Sequence, residues 1–446
     1  MMTAQDVYPE KPLKVSYWLA VLKTAFLTCV FVTPFASGSP LQIIFVTSWI
    51  VIFILLSFLI GGDRSSLIVL LRKHHAPVFY LLLLFFLWSI FSLGHVLLAS
   101  LPAGHKTLAL IRYVTYLLFS VLTFAIARFV MVSKLSHVHV YLCYMAGTVV
   151  LALILLAIYQ MGGAAGAKNW GMHPPVGTHV RMMGIAASVS IWVAVMVLLW
   201  RRYSSLIPQV LLSLALFTCS SFLVWTGSRA SLLLVICTMS VGIVLLAQYR
   251  GLSKKHLFLV LMILLMSLPM ASYVSVFSWN GLHRMVQTSV LPADESDSSV
   301  AAEATADQLT SGRMTIWRLS WREVKRSPWL GLGPYGYFFI PDRPRMYDHP
   351  HNLFLQFSLE WGLPGCMLLL ALIAGLLWYG LKRVPEAFRQ EDLGYVLSAG
   401  IVLMLTINGL VDGTFFVSEP LFCLALAFSC FPFLTARVKD RGFSGV

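Results

Sequence analysis

"HPHNLFLQFSLEWGLPG", residues 349–365, places two histidines and an asparagine directly before a long apolar segment and closes on Gly-Leu-Pro-Gly. Polar groups at such an entrance must meet water or meet one another, because burying one unpaired costs about 1–3 kcal/mol. Which of these applies depends on the surrounding solvent, and the composition identifies it. Of the 446 residues, 59% are hydrophobic and 11% charged, and the mean hydropathy is +0.82. These apolar residues exceed what one core in water could bury, so the solvent is a bilayer.

A span takes about 20 mostly apolar residues. Roughly twelve segments qualify: about 17–36, 41–61, 76–100, 108–131, 138–160, 181–200, 206–225, 230–249, 256–277, 352–380, 393–411 and 415–436. They are expected to be helices, since lipid tolerates no open backbone and the ten-residue alternation of barrel strands is missing. The expectation is an all-α polytopic membrane protein. The first apolar run follows a polar start and leads into further spans, so it reads as the first helix and not as a cleavable leader. Seven cysteines lie mainly in apolar runs without CxxC spacing, which argues against a disulfide framework and a zinc site.

The net charge of +14 suggests nucleic acid only until its distribution is read. With the N-terminus inside, Lys11, Lys14, Arg64, Arg72, Arg201, Arg250, Lys382 and Arg437 fall on inner segments. The short outer loops and adjoining helix ends hold Lys106, Arg112, Lys168, Arg181 and Arg229. That bias puts both termini inside and residues 349–352 outside. Residues 1–277 then form helices 1–9, residues 278–350 one long outer loop containing short helices, and residues 351–446 helices 10–12. The loop has two characters. Its part at about 290–310, "PADESDSSVAAEATADQL", carries five of the eighteen acidic residues and reads as a solvated, mobile tether. Its part at about 311–350 is basic and ordered: Arg313, Trp317, Arg318, Trp321 and Arg322 recur at helical steps, and "SPWLGLGPYGY" then breaks the helix.

Arginines on the outer side run against the topological bias and need a reason. Arg229 in "WTGSRAS", Arg181 in "GTHVRMMG" and Arg313 are candidates for a cationic pocket, since the guanidinium fork matches phosphate oxygens; interfacial snorkelling is the alternative. His351 is the candidate general base. Asp348 or His349 is expected to cap helix 10, placing His351 in the first turn, where the dipole and nearby arginines disfavour imidazolium. Asn352, Gln356 and Glu360 follow on one face as a polar stripe that orients the pocket or bonds neighbouring helices, with Asn408 and Asp412 as a weaker pair of the same kind. His105, His173, His179 and His283 read as structural or solvated. No metal site is expected: an outer DxD is missing, and Asp348, His349 and His351 alone make a poor ligand set.

"HN", nine residues and "GLPG" (His351, Asn352, Gly362, Gly365), together with "GSRAS", "GRMTIW" and "SPWLGLG", resemble the bacterial O-antigen ligases of the O-antigen ligase/polymerase superfamily. The resemblance implies a fold like the GT-C-type membrane glycosyltransferases, with the long loop periplasmic. It also implies transfer of a polysaccharide from undecaprenyl diphosphate to a sugar hydroxyl of lipid A-core in lipopolysaccharide assembly, without metal or other cofactor. The site would lie at the periplasmic face of a Gram-negative inner membrane. The family's essential histidine maps onto His351 and its arginines onto Arg229 and Arg313; Arg181 is carried by position alone, and Asn352, His349, Gln356 and Glu360 are supporting. Expected partners are undecaprenyl diphosphate-linked O-antigen, lipid A-core and membrane lipids, and no nucleic acid. An O-antigen polymerase, a protein O-oligosaccharyltransferase and, from another class, a lipid or sugar transporter remain alternatives.

Overall fold

The computed structural model describes residues 13–35, 76–133, 135–166, 175–176, 180–200, 205–274, 313–341, 343–344, 348–414 and 418–431. Their regular structure is helical: α1 (Leu13–Val32), α2 (Ala76–Leu98), α3 (Ala103–Ser133), α4 (His137–Gly166), α5 (Val180–Trp200), α6 (Leu206–Thr226), α7 (Arg229–Arg250), α8 (Lys254–Val274), α9 (Arg313–Arg326), α10 (Leu353–Leu381), α11 (Val384–Arg389), α12 (Leu393–Gly409) and α13 (Ser418–Phe428). Seven helices among the described residues, α2 to α7 and α10, are long and apolar enough to cross a membrane. The described part of the chain is thus all-helical, with the apolar helices of a multi-pass membrane protein. Every expected span within the described residues falls on a helix. The total of twelve also draws on segments outside them, 41–61 foremost; the acidic tether at about 290–310 lies outside them as well.

α5 is the axis of the bundle. Nearly all of its described side chains are buried, and it packs against α4, α6, α7 and α12. Small residues permit the close approach that drives helix association in a bilayer. Gly184 lies against Ser228 and Ser231 of the α6–α7 turn, and Ser188 donates to Gly184 O at 2.7 Å and to Ser231 O at 3.2 Å. Across the core, the Trp192 ring packs against Gly400 and Gly242, and its Nε1–H donates to Leu397 O at 3.0 Å.

α10 is not continuous. Gly362 has φ 70° and ψ 175° inside it, and Pro364 removes one amide and collides with the carbonyl four residues earlier. Such a break frees backbone groups where no water can answer them. Four of them find partners outside the helix. Leu332 N–H donates to Leu359 O at 2.6 Å, Ser92 Oγ to Glu360 O at 3.2 Å and Trp88 Nε1–H to Trp361 O at 2.8 Å, while Leu363 N–H donates to Pro328 O at 2.7 Å. The single Ser92 hydroxyl proton is shared between Glu360 O and Leu330 O, the latter at 2.7 Å. The "SPWLGLG" segment is therefore held in the notch of α10, with α2 closing the other side.

α9 packs on α10 through Ile316 and Val324, which form a small core with Tyr337, Ile340 and Leu359. Beyond it, the 3-10 turn Gly336–Phe339 is pinned by His105, stacked on Phe339 at 4.0 Å. His105 is buried and structural, as the sequence suggests.

A Cβ at Gly362 would overlap Trp329 O, and its φ is unfavourable for any other residue. Gly362→Ala should therefore lose about 2–4 kcal/mol of stability. Gly94→Ala, whose added methyl meets nothing within 4 Å, should gain up to about 1 kcal/mol. Thermal unfolding of both variants in the same detergent checks the contrast, and equal midpoints would contradict the notch.

Candidate active site

The site is assembled where α10 begins. Asn352 caps that helix: its side-chain oxygen accepts Leu355 N–H at 3.0 Å, and its Nδ2 donates to Leu410 O at 2.9 Å. This corrects the expectation that Asp348 or His349 is the cap. His351 consequently stands outside the first turn, in the left-handed region at φ 52°, and helix-dipole control of its ring does not carry over. Asn352 wins the position because an Asn side chain at an N-cap satisfies one of the orphan amides that a helix start leaves.

Turned back by this conformation, His351 meets Asp412 in the segment after α12. Its Nδ1 lies 2.8 Å from Asp412 Oδ1, and both residues are buried. An ionised carboxylate only accepts, so Nδ1 carries the proton in the neutral ring, and Nε2 is left with its lone pair. Asp412 Oδ1 also takes Gly413 N–H at 2.8 Å. Asp412 N–H donates to Asn408 O at 2.8 Å, and Asn408 Nδ2 donates to Thr414 Oγ1 at 2.9 Å, which shapes the turn that presents the carboxylate.

Arg313 enters from α9, its Nη2 3.9 Å from Asp412 Oδ2. One turn on, Trp317 Nε1–H donates to Pro350 O at 2.9 Å and fixes α9 against the His351 strand. The helix expected over Arg313–Arg322 is present but divides its residues. Arg313 and Trp317 turn toward the site; Arg318, Trp321 and Arg322 are exposed. His349 is buried with its ring centroid 4.0 Å from that of His351, and the backbone of Gly413 lies directly against its ring.

The polar stripe below has a different role. Gln356 Nε2 donates to Tyr116 OH at 3.1 Å and to Glu360 Oε1 at 3.3 Å; Tyr116 OH donates to Glu360 Oε2 at 3.1 Å, and Arg112 Nη2 donates to Tyr116 OH at 3.1 Å. The Tyr335 backbone N–H bonds the Glu360 carboxylate as well. Gln356 and Glu360 thus tie α10 to α3 and to the loop. Above this cluster, burial pushes the Tyr335 phenol up, with Asp348 adding to the shift and Arg112 and Arg343 opposing it.

Arg229 is the first residue of α7, after a turn in which Gly227 takes φ 63° and Ser228 Oγ donates to Ser231 Oγ at 2.8 Å. α7 runs antiparallel to α12, with Arg250 and Glu391 paired at 3.0 Å at the far end. Arg229 therefore stands at the same end of the bundle as Asp412. Arg181 belongs to α5, and its side chain lies outside the described residues.

Sequence reasoning gave Asp412 a minor place and Arg112 and Tyr116 none in the site. The available signal for Asp412 was an acidic residue at the end of an apolar span on the side of His351. Ligand atoms of His349, His351 and Asp412 lie within 4.8 Å of one another, a set able to hold a metal ion. Here the Arg313 guanidinium supplies positive charge at the same carboxylate.

Residues 214–370 match a family model described as O-antigen ligase. The matched region runs from α6 through "GSRAS", α9 and the notch to the middle of α10. It contains Arg229, Arg313, His349, His351, Asn352, Gln356 and Glu360. No curated protein matches the chain. Over this region the chain is similar to the O-antigen ligase family, in line with the resemblance its motifs carry.

Because a methyl group at Gly413 would occupy the position of the His349 ring, Gly413→Ala should displace the turn that carries Asp412. Accommodating such overlap costs about 1–3 kcal/mol, so Gly413→Ala should unfold at lower temperature than wild type. Gly413→Ala combined with His349→Ala, which vacates the space, should recover most of that loss. A double variant no more stable than Gly413→Ala would argue against the packing.

Proposed function

We infer that the chain carries an O-antigen ligase domain and is a glycosyltransferase that moves polysaccharide from undecaprenyl diphosphate to a sugar hydroxyl of lipid A-core. It would act at the periplasmic face of a Gram-negative inner membrane. The observation that carries this reading is the hydrogen bond from His351 Nδ1 to Asp412, with Arg313 beside the carboxylate. Such an Asp–His pair orients the ring and stabilises it once protonated.

In the proposed reaction His351 Nε2 takes the proton of the acceptor hydroxyl as its oxygen attacks the anomeric carbon. The bond from that carbon to the diphosphate oxygen breaks, and its electron pair leaves on the diphosphate. Arg313 and Arg229 bind the diphosphate and offset the developing charge. Direct attack inverts the anomeric centre. Arg181 is a further donor-binding candidate by position. Asn352 and His349 hold the His351 strand, and Gln356 and Glu360 hold the loop that carries Arg313. The pairing of base, carboxylate and guanidinium supports acid–base and electrostatic catalysis without a resident metal.

Purified protein, lipid-linked glycan and lipid A-core should give one-step transfer on a gel, also with excess chelator present. Ladders built on the donor lipid alone would point to a polymerase, and loss with chelator restored by magnesium would assign His349, His351 and Asp412 to a metal. His351→Ala should lower transfer by about 100-fold or more, the range for losing a general base. Wild-type turnover by that variant would remove His351 from the chemistry.

Lysine keeps the charge of arginine and loses its bidentate fork. Arg229→Lys and Arg313→Lys should each transfer about 10- to 100-fold more slowly, since a charge-assisted hydrogen bond contributes about 1.5–3 kcal/mol. Lysine variants with unchanged rates would make these arginines anchors of helix ends.

A further inference from the structure

α9 has a second face that the proposed chemistry leaves unused. Ile316, Ser320, Glu323 and Val324 are turned inward. Arg318, Trp321, Arg322, Lys325 and Arg326 are all exposed on the opposite side, and Trp329, in the turn that follows, is 72% exposed. At 100° per residue the five on α9 fall within one arc of the helix, and Trp329 follows in the turn beyond it. Glu323 pairs with Arg322 at 3.1 Å and Arg326 at 2.9 Å, so the face retains a clear positive excess. The ordinary explanation, a solvated charged face, accounts for the cations but not for two exposed indoles among them.

The face is also continuous with the candidate active site. Arg318 follows Trp317, which is bonded to Pro350 O. Trp321 lies against Phe354, ring centroids 6.2 Å apart, in the first turn of α10 after His351 and Asn352. A rise of about 1.5 Å per residue puts Lys325 roughly 18 Å along the helix from Arg313. Cations at about four-residue spacing suit several phosphates on one molecule, and indole rings suit the faces and lipid borders of sugars.

We propose that the exposed face of α9 docks the phosphate groups of the acceptor glycolipid, leaving its accepting hydroxyl at His351. This rests on the proposed transfer reaction. The donor is a less suitable occupant, because its diphosphate is assigned to Arg313 and Arg229 and this face turns away from Asp412. Bulk anionic phospholipid is also less suitable, because the face starts at the rim of the site.

The test compares wild type with Arg318→Ala/Arg322→Ala/Lys325→Ala on lipid A-core and on the same glycolipid after phosphatase treatment. Arg326 remains to pair Glu323, so no buried carboxylate is stranded. The triple variant should raise the acceptor KM about 8- to 60-fold, the product of roughly two- to fourfold for each of three exposed cation–phosphate pairs. Donor KM and kcat at saturating acceptor should stay within about twofold of wild type. Wild type on the dephosphorylated acceptor should show the same rise, and the variant should add nothing to it. Arg318→Lys/Arg322→Lys should restore most of the affinity.

An unchanged acceptor KM would overturn the proposal, as would a variant penalty that persists on the dephosphorylated acceptor. So would a penalty that follows the phosphatidylglycerol content of the nanodisc. If wild type transfers nothing, the proposed function fails instead. Direct binding of intact and dephosphorylated lipid A-core to wild type and variant, read by native mass spectrometry, then tests the docking face alone.

Discussion

A broken helix inside a bilayer must have its backbone groups answered, and this requirement organises the site end of the molecule. Gly362 and Pro364 interrupt α10 in a buried stretch, where an unpaired carbonyl or amide group costs about 1–3 kcal/mol. Four of those groups are satisfied by Leu332, Ser92, Trp88 and Pro328. Two of the four partners come from one short stretch of the loop after α9. Docking of that stretch is thus a condition of α10 existing in this form. Once it is docked, Ile316 and Val324 seat α9 on α10, Trp317 reaches Pro350, and Arg313 arrives at Asp412.

Two buried carboxylates near this end illustrate two solutions to the same electrostatic problem. Glu360 is surrounded by hydrogen-bond donors from α10, α3 and the loop, with Arg112 behind Tyr116, and that saturation suits a structural tie. Asp412 faces an imidazole, a backbone amide and a guanidinium, the last with Nη2 3.9 Å from Oδ2. Its partner ring has a second nitrogen whose proton state the carboxylate sets. The difference in surroundings, more than any difference in side-chain chemistry, separates the tie from the candidate catalytic pair.

Much of the lipid-facing architecture was legible in order along the chain. Helices α2 to α7 fall within a few residues of their apolar segments, because span length and apolar composition are local quantities. α9 was legible for the same reason, from the spacing of its tryptophans and arginines. The start of α10 was not. Asp348 and Asn352 are both competent caps, and Asn352 is additionally held by Leu410 O, a carbonyl 58 residues away. With Asn352 as cap, His351 is displaced from the helix and its environment is set by Asp412, 61 positions later.

By itself, then, the sequence determined the solvent, the helices, the histidine and the arginines worth testing, since each rests on composition or on spacing within one segment. The tertiary structure decided which of these residues meet. Asp412, Tyr116 and Arg112 carry little signal along the chain because their roles arise only when α12 and α3 pack beside α10. The "GLPG" and "SPWLGLG" motifs likewise read as separate signatures until the fold shows one supplying the hydrogen bonds that the other lacks. Hydrogen bonds are directional and short, so their partners are fixed by three-dimensional position and not by order along the chain.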